Sequence, residues 1–221
     1  MASDVDISNM ALAHIGDIAN IASLTEQSVQ AQTCNVMFPI ARDTMLESHA
    51  WSFASARATL ALLTAVIPEW KYAYAKPANA FRVLAIHANN ANNDYSTPVV
   101  IDPYNPTVPS LTTYGVYTTQ PFIMEVDANG NDLIYTNQQN ATARYTMRVT
   151  DTTKFPPLFT MALSWHLASL IAGSIIKGKE GAAEAKRCLA MAQVYLNQAK
   201  TVDANNSDDP IQQNVPWLAV R

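Results

Sequence analysis

The chain has 221 residues and is 49% hydrophobic, yet only 14% of its residues are charged and its net charge is −4, against roughly 25% charged residues in soluble domains. That length holds one substantial core, or one core with an inserted subdomain. The acidic balance and the lack of a Lys/Arg cluster exclude a protein that grips nucleic acid by its phosphates. A surface that DNA slides past remains open, because like charge prevents sticking.

Sparse charge also points to a surface covered by neighbours. The opening Met1-Ala2-Ser3-Asp4-Val5-Asp6 has neither a basic start nor a long apolar run, so it does not read as a signal peptide. Cys34 and Cys188 fall in helical patterns without a CxxC pair, which reads as reduced core thiols of a cytoplasmic protein.

Val5, Ile7, Met10, Ala11 and Ile15 predict a first amphipathic helix, capped by Ser3 or Asp4 and ended by Gly16. Ser23-Leu24-Thr25-Glu26 reads as a capping box that opens a second helix running to about His49. Pro39 falls inside it and predicts a kink near Asn35. The stretch Leu46 to Arg57 comes next and carries Trp51-x-Phe53. Two spaced aromatics put a large apolar area at one junction, where several elements are expected to meet. Trp51 and Phe53 are expected to pin a helical bundle to a β-rich insertion. A second aromatic cluster, Trp70, Tyr72 and Tyr74, is closed by Pro77.

From about 77 to 149 helical spacing disappears, and Thr, Tyr, Val, Asn and Pro dominate. Strands are expected at Phe81–Ile86, Pro98–Ile101, Phe122–Val126, Asp132–Tyr135 and Ala143–Val149. His87 to Tyr95 reads as an exposed loop. Asn129-Gly130 predicts a hairpin, since both residues tolerate positive φ.

Helix returns at Leu158–Ile176, a stretch with no charge between Lys154 and Lys177. Its length approaches a membrane span. Interrupting polar residues and the Pro156-Pro157 start favour a helix buried in a protein bundle. Lys177 to Gly181 breaks it, and a last amphipathic helix covers about 182–201. The tail ends in Val215-Pro216-Trp217-Leu218-Ala219-Val220-Arg221. Ordering those seven residues costs about 1–2 kcal/mol each. Burying Trp, Leu and two Val returns about 2–3 kcal/mol apiece. The two nearly cancel, so the arm is expected to be mobile alone and ordered only on a well-fitting partner, the alternative being a terminus that folds back on its own core.

The expected fold is therefore α+β: an α-helical bundle of about four helices, residues 1–76 and 150–202, with a β-rich insertion at 77–149 and an extended C-terminal arm at 203–221. No catalytic, cofactor or metal site emerges. His14, His49, His87 and His166 lack HExxH or HxH spacing, and six glycines include no P-loop or GxGxxG. The expectation is a protein that is not an enzyme. A hydrolytic or carbohydrate-binding module on the β-rich part would have to draw on Asp94, Asp102, Glu125, Asp127 and Asp132.

Several stretches together resemble one family. They are Ala11-Leu12-Ala13-His14-Ile15-Gly16, Ile21-Ala22-Ser23-Leu24, Ala41 through Ala54, Trp70-Lys71-Tyr72-Ala73-Tyr74-Ala75-Lys76-Pro77, and Arg144-Tyr145 ahead of the Phe155–Ile176 helix. The chain resembles the head-to-tail adaptor of short-tailed bacteriophages, also called tail tubular protein A, over about residues 5–200. The resemblance implies a twelve-subunit homo-oligomeric ring in the neck of the virion, made in the host bacterial cytoplasm. Its partners would be the portal and the tail nozzle, with a tail fibre as a further contact. DNA would pass through the lumen, and no membrane would be involved. Terminal segments would clasp neighbours, here Val215, Pro216, Trp217, Leu218 and Val220. Another neck component, a nozzle or stopper, is the alternative.

Overall fold

The computed structural model describes residues 2–18, 20–64, 68–88 and 119–206. The chain is mixed α and β, with four α-helices and two antiparallel sheets among the described residues. It divides into two compact units, residues 1–53 with 150–221, and residues 54–149.

The first unit is helical. Helix α1 spans Asp4–His14 and opens with a reciprocal box, in which the Ser3 hydroxyl accepts from the Asp6 N–H and the Asp6 carboxylate accepts from the Ser3 N–H. It ends in a Schellman motif: Asp17 N–H donates to the Leu12 carbonyl, Gly16 N–H to that of Ala13, and Gly16 sits at φ +78°. Helix α2 spans Val29–Glu47, three residues short of the expected start. Ser28 is its cap and accepts from the Ala31 N–H. Glu26 instead reaches back to the Ala22 N–H and accepts from the Ser28 hydroxyl, so the expected box forms a turn that precedes the helix. Pro39 lies inside α2 on an exposed position.

Helix α3 spans Pro157–Ile175, with a proline at its first position. By length and composition alone it could cross a membrane. It packs most extensively on α4, which spans Gly178–Ala204, and also on α1 and α2. Phe159, Ala162, Leu163, Leu167, Ala168, Ile171 and Ala172 are fully buried. The break between α3 and α4 is narrower than expected. Lys177 at φ +62° and Gly178 at φ +67° make the turn, and Gly181 is already helical. A Cβ at Gly181 would lie 3.2 Å from the Ala172 carbonyl oxygen, so this glycine lets α4 approach α3 closely. The helix also runs past the expected end, and Asp203 is in its last turn.

The second unit begins well before the expected 77. Strand β1 (Ser55–Thr59) pairs with β7 (Ala141–Met147), which pairs with β4 (Ala80–Ala88), giving a three-stranded sheet in the order β1-β7-β4. The other sheet runs β2-β3-β6-β5, from Leu62–Leu63, Tyr72–Ala75, Asp132–Thr136 and Phe122–Val126. His87 belongs to β4 and is buried, so the loop expected from it begins no earlier than the end of that strand. The β5–β6 hairpin follows a different plan from an Asn-Gly two-residue turn. Gly130 alone takes a positive φ, +84°. The Asp127 carboxylate accepts from the Asn129 and Asn131 N–H groups at 2.8 Å each, and Gly130 N–H closes a turn on the Asp127 carbonyl. This is a three-residue loop built on a turn that ends in a left-handed residue. The strand expected at Pro98–Ile101, with Asp94 and Asp102, lies outside the described residues.

Candidate functional site

The aromatic stretch around Trp51 forms a side-chain cluster in the helical unit with Phe155 and Phe159. Helix α2 stops at Glu47, which leaves its last carbonyls without intrahelical donors. The Met45 carbonyl receives two: the Ser48 hydroxyl at 2.8 Å and the Trp51 indole N–H at 2.9 Å. Trp51 therefore works as a side-chain cap while its ring enters the core, where it is 1% exposed. Its ring meets Phe159 edge-on at 5.0 Å and His49 at 4.9 Å. Phe53, half-buried in the short 3-10 turn Ser52–Ala54, packs on Phe155 at 5.8 Å and on Phe159 at 5.1 Å. Each geometry is offset or edge-to-face, the arrangement that adds about 0.5–1.5 kcal/mol beyond area burial.

One carboxylate completes the cluster. Asp203, buried at the end of α4, accepts from the Ser52 N–H at 3.1 Å and from the Ser52 hydroxyl at 2.5 Å. His49 Nε2 lies 3.3 Å from its other oxygen. The sequence gives no warning of this residue, which stands in the polar run Val202–Asp209 and was expected to belong to the arm.

The other predicted aromatics serve the second unit. Tyr74 is buried among Leu60, Val83, Ile86, Ile134 and Tyr145, and its hydroxyl donates to the Gln138 carbonyl at 2.8 Å. Tyr72 packs at the edge of the same cluster, with its ring 6.3 Å from that of Tyr74. Trp70 packs against Ala73, Leu133 and Tyr135 in a separate small cluster. The arm residues Val215, Pro216, Trp217, Leu218 and Val220 lie outside the described residues.

A further cluster joins α1, α3 and α4. The His14 ring stacks on Trp165 at 3.6 Å and 6°, and the Arg187 guanidinium lies over the Trp165 ring at 5.3 Å. His14 Nε2 is 3.0 Å from the Ser164 hydroxyl, Arg187 donates to the His14 carbonyl, and Glu184 pairs with Arg187. Burial and the neighbouring Arg187 hold the His14 pKa below its ordinary value. Burial does the same for His166, which is half-buried in α3, and for His87, where Arg57 and Arg144 add to the effect. Burial pushes the Cys34 thiol up to about 11; both cysteines are free and buried.

These three histidines set an expected pH dependence. Each is harder to protonate folded than unfolded, so the unfolded chain binds more protons just below pH 6.5. Stability is then complete above that range and falls as pH drops through it. The lowered carboxylates, such as Asp127 and Glu184, titrate further down and leave this window clear. Urea midpoints at about pH 7.5 and 5.5 check this: the midpoint should fall, and His14→Phe should reduce the fall. An equal or higher midpoint at the lower pH would show the rings to be freely solvated.

Among the described residues no group of three or more His, Cys, Asp or Glu side chains could hold a metal ion. Glu125, Asp127 and Asp132 stand about an exposed hairpin, where Asp127 staples the loop and Asp132 pairs with Lys76 at 2.8 Å. No protein-family model matches the chain, and no curated protein matches it.

Proposed function

We propose that the chain is a subunit of the head-to-tail adaptor ring of a short-tailed bacteriophage, a non-enzymatic piece that joins the portal to the tail nozzle and lets DNA pass through its lumen. In this reading the helical unit is a bundle and the β unit is its insertion. The observation that carries it is the family resemblance of the Ala41–Ala54 stretch taken with Trp70 to Pro77.

Two features support an assembled state. Helix α2 exposes Val29, Val36 and Ile40, and α4 exposes Leu189 and Val194. The positions of α2 that are exposed between Val29 and Thr44 carry no charge. Faces of that kind suit burial in a ring, where many weak contacts act together. Electron microscopy or mass photometry of the purified protein, alone and with a portal, is expected to show closed twelve-subunit rings. Monomers under both conditions would overturn the proposal. Tight binding to a nozzle component with none to the portal would move the protein to another place in the neck.

A further inference from the structure

An apolar groove opens at the end of the helical unit. It holds about 180 Å3 and is lined by Trp51, Leu158 and Phe159 on one side and by Ala199 and Val202 of α4 on the other. Val202 is 53% exposed there, an aliphatic side chain at the end of a long helix with nothing over it among the described residues. Asn206 also lines the groove, and it is the last residue described. Fifteen residues come after it, and beyond the polar Ser207-Asp208-Asp209 they carry Val215-Pro216-Trp217-Leu218-Ala219-Val220.

We propose that this groove is the docking site of the chain's own C-terminal segment, with Trp217 seated between Val202 and Leu158. Three arguments select this occupant. The first is reach. Trp217 stands eleven positions after Asn206, enough for roughly 36 Å when extended at about 3.3 Å per residue, so the chain can double back to the lip it leaves. The second is size. A cavity of roughly 150 Å3 takes up a benzene ring, and an open groove a little larger accepts one large aromatic side chain. The third is concentration. A segment tethered at the lip of its own site is present there at about millimolar effective concentration, an advantage that no free partner shares. The docked segment meets apolar wall on both sides and the Asp203 and Asn206 acceptors at the rim, which suits an aromatic ring carrying one N–H.

The test is fluorine NMR on the full-length chain labelled with fluorotryptophan, its four resonances assigned by single Trp→Phe substitutions. The Trp217 resonance should lie away from its position in urea and respond weakly to exchange of H2O for D2O. Val202→Glu should return it to the urea position while the Trp165 and Trp70 resonances stay in place. Because a groove substitution can disturb the helix, Trp217→Ala gives the reciprocal reading without touching the helical unit. It should move the Trp51 resonance and leave Trp165 and Trp70 unmoved. Dilution should change none of this. A Trp217 resonance at its urea position in the unmodified chain would overturn the proposal. So would a shifted resonance that ignores Val202→Glu, which would put the segment elsewhere. A shifted resonance that returns to the urea position on dilution would assign the groove to a second copy's segment and overturn docking within one chain.

Discussion

Trp51→Ala is expected to destabilise the helical unit by about 3–5 kcal/mol, the range for removing a large aromatic from a well-packed core. The ring is 1% exposed and touches Phe159 and His49. Its removal opens a cavity beside helix α3, which cannot collapse freely because α4 holds the other side. A second effect adds to the first. The Met45 carbonyl loses the indole N–H and keeps only the Ser48 hydroxyl, so the end of α2 is less well satisfied. Trp51→Phe separates the two contributions, since it retains most of the packing and loses the hydrogen bond; a cost of about 1–2 kcal/mol is expected for it. Urea unfolding followed by circular dichroism measures both. A Trp51→Ala chain as stable as the parent would mean that the ring's place is not in this core.

Phe53→Ala is a milder case of the same cluster, because Phe53 is half-buried. The pair thus divides its work by depth: Trp51 fixes the end of α2 against α3, and Phe53 extends the contact along Phe155 and Phe159.

The helices were legible because their signals are local. Ser3 with Asp6, Gly16, the Pro156-Pro157 start and the apolar period of α3 each act within a turn or two of their own position. Strand content is legible from Phe81 onward, whereas over Ala56–Val66 the sequence allows a short strand or a helix, because Ser-Ala-Arg-Ala-Thr has little β character of its own. That strand exists because β7 lies beside it, a partner nearly ninety residues away. The same limit explains the capping of α2. Two hydroxyls, Ser23 and Ser28, both precede apolar periodicity, and only the folded chain shows Ser28 taking the cap. Of the cluster around Trp51, the aromatics could be read from spacing. Asp203 could not, since its role is set by Ser52 and His49, about 150 residues earlier.

Asp203→Ala is expected to cost about 1.5–3 kcal/mol, the range for losing hydrogen bonds to a charged group. Two donors converge on this carboxylate, the Ser52 N–H and the Ser52 hydroxyl, and His49 Nε2 lies 3.3 Å from it. Alanine leaves the Ser52 N–H without its acceptor directly after Trp51, so the 3-10 turn that aims Phe53 loses its anchor to α4. Ser52 stands on the surface, and water can recover part of the loss, which places the effect within that range and below the figure for severing a fully buried ion pair. Asp203→Asn should cost less, because its carbonyl oxygen still accepts from the Ser52 N–H. A double-mutant cycle with Ser52→Ala isolates the contact. Asp203→Ala should be less damaging in the Ser52→Ala background than in the parent, since the hydroxyl bond is already gone, and Asp203→Asn should keep the same order. Additive costs across the cycle would show that the Ser52 hydroxyl adds nothing to the contact, and that the carboxylate holds the Trp51 stretch through the Ser52 N–H alone.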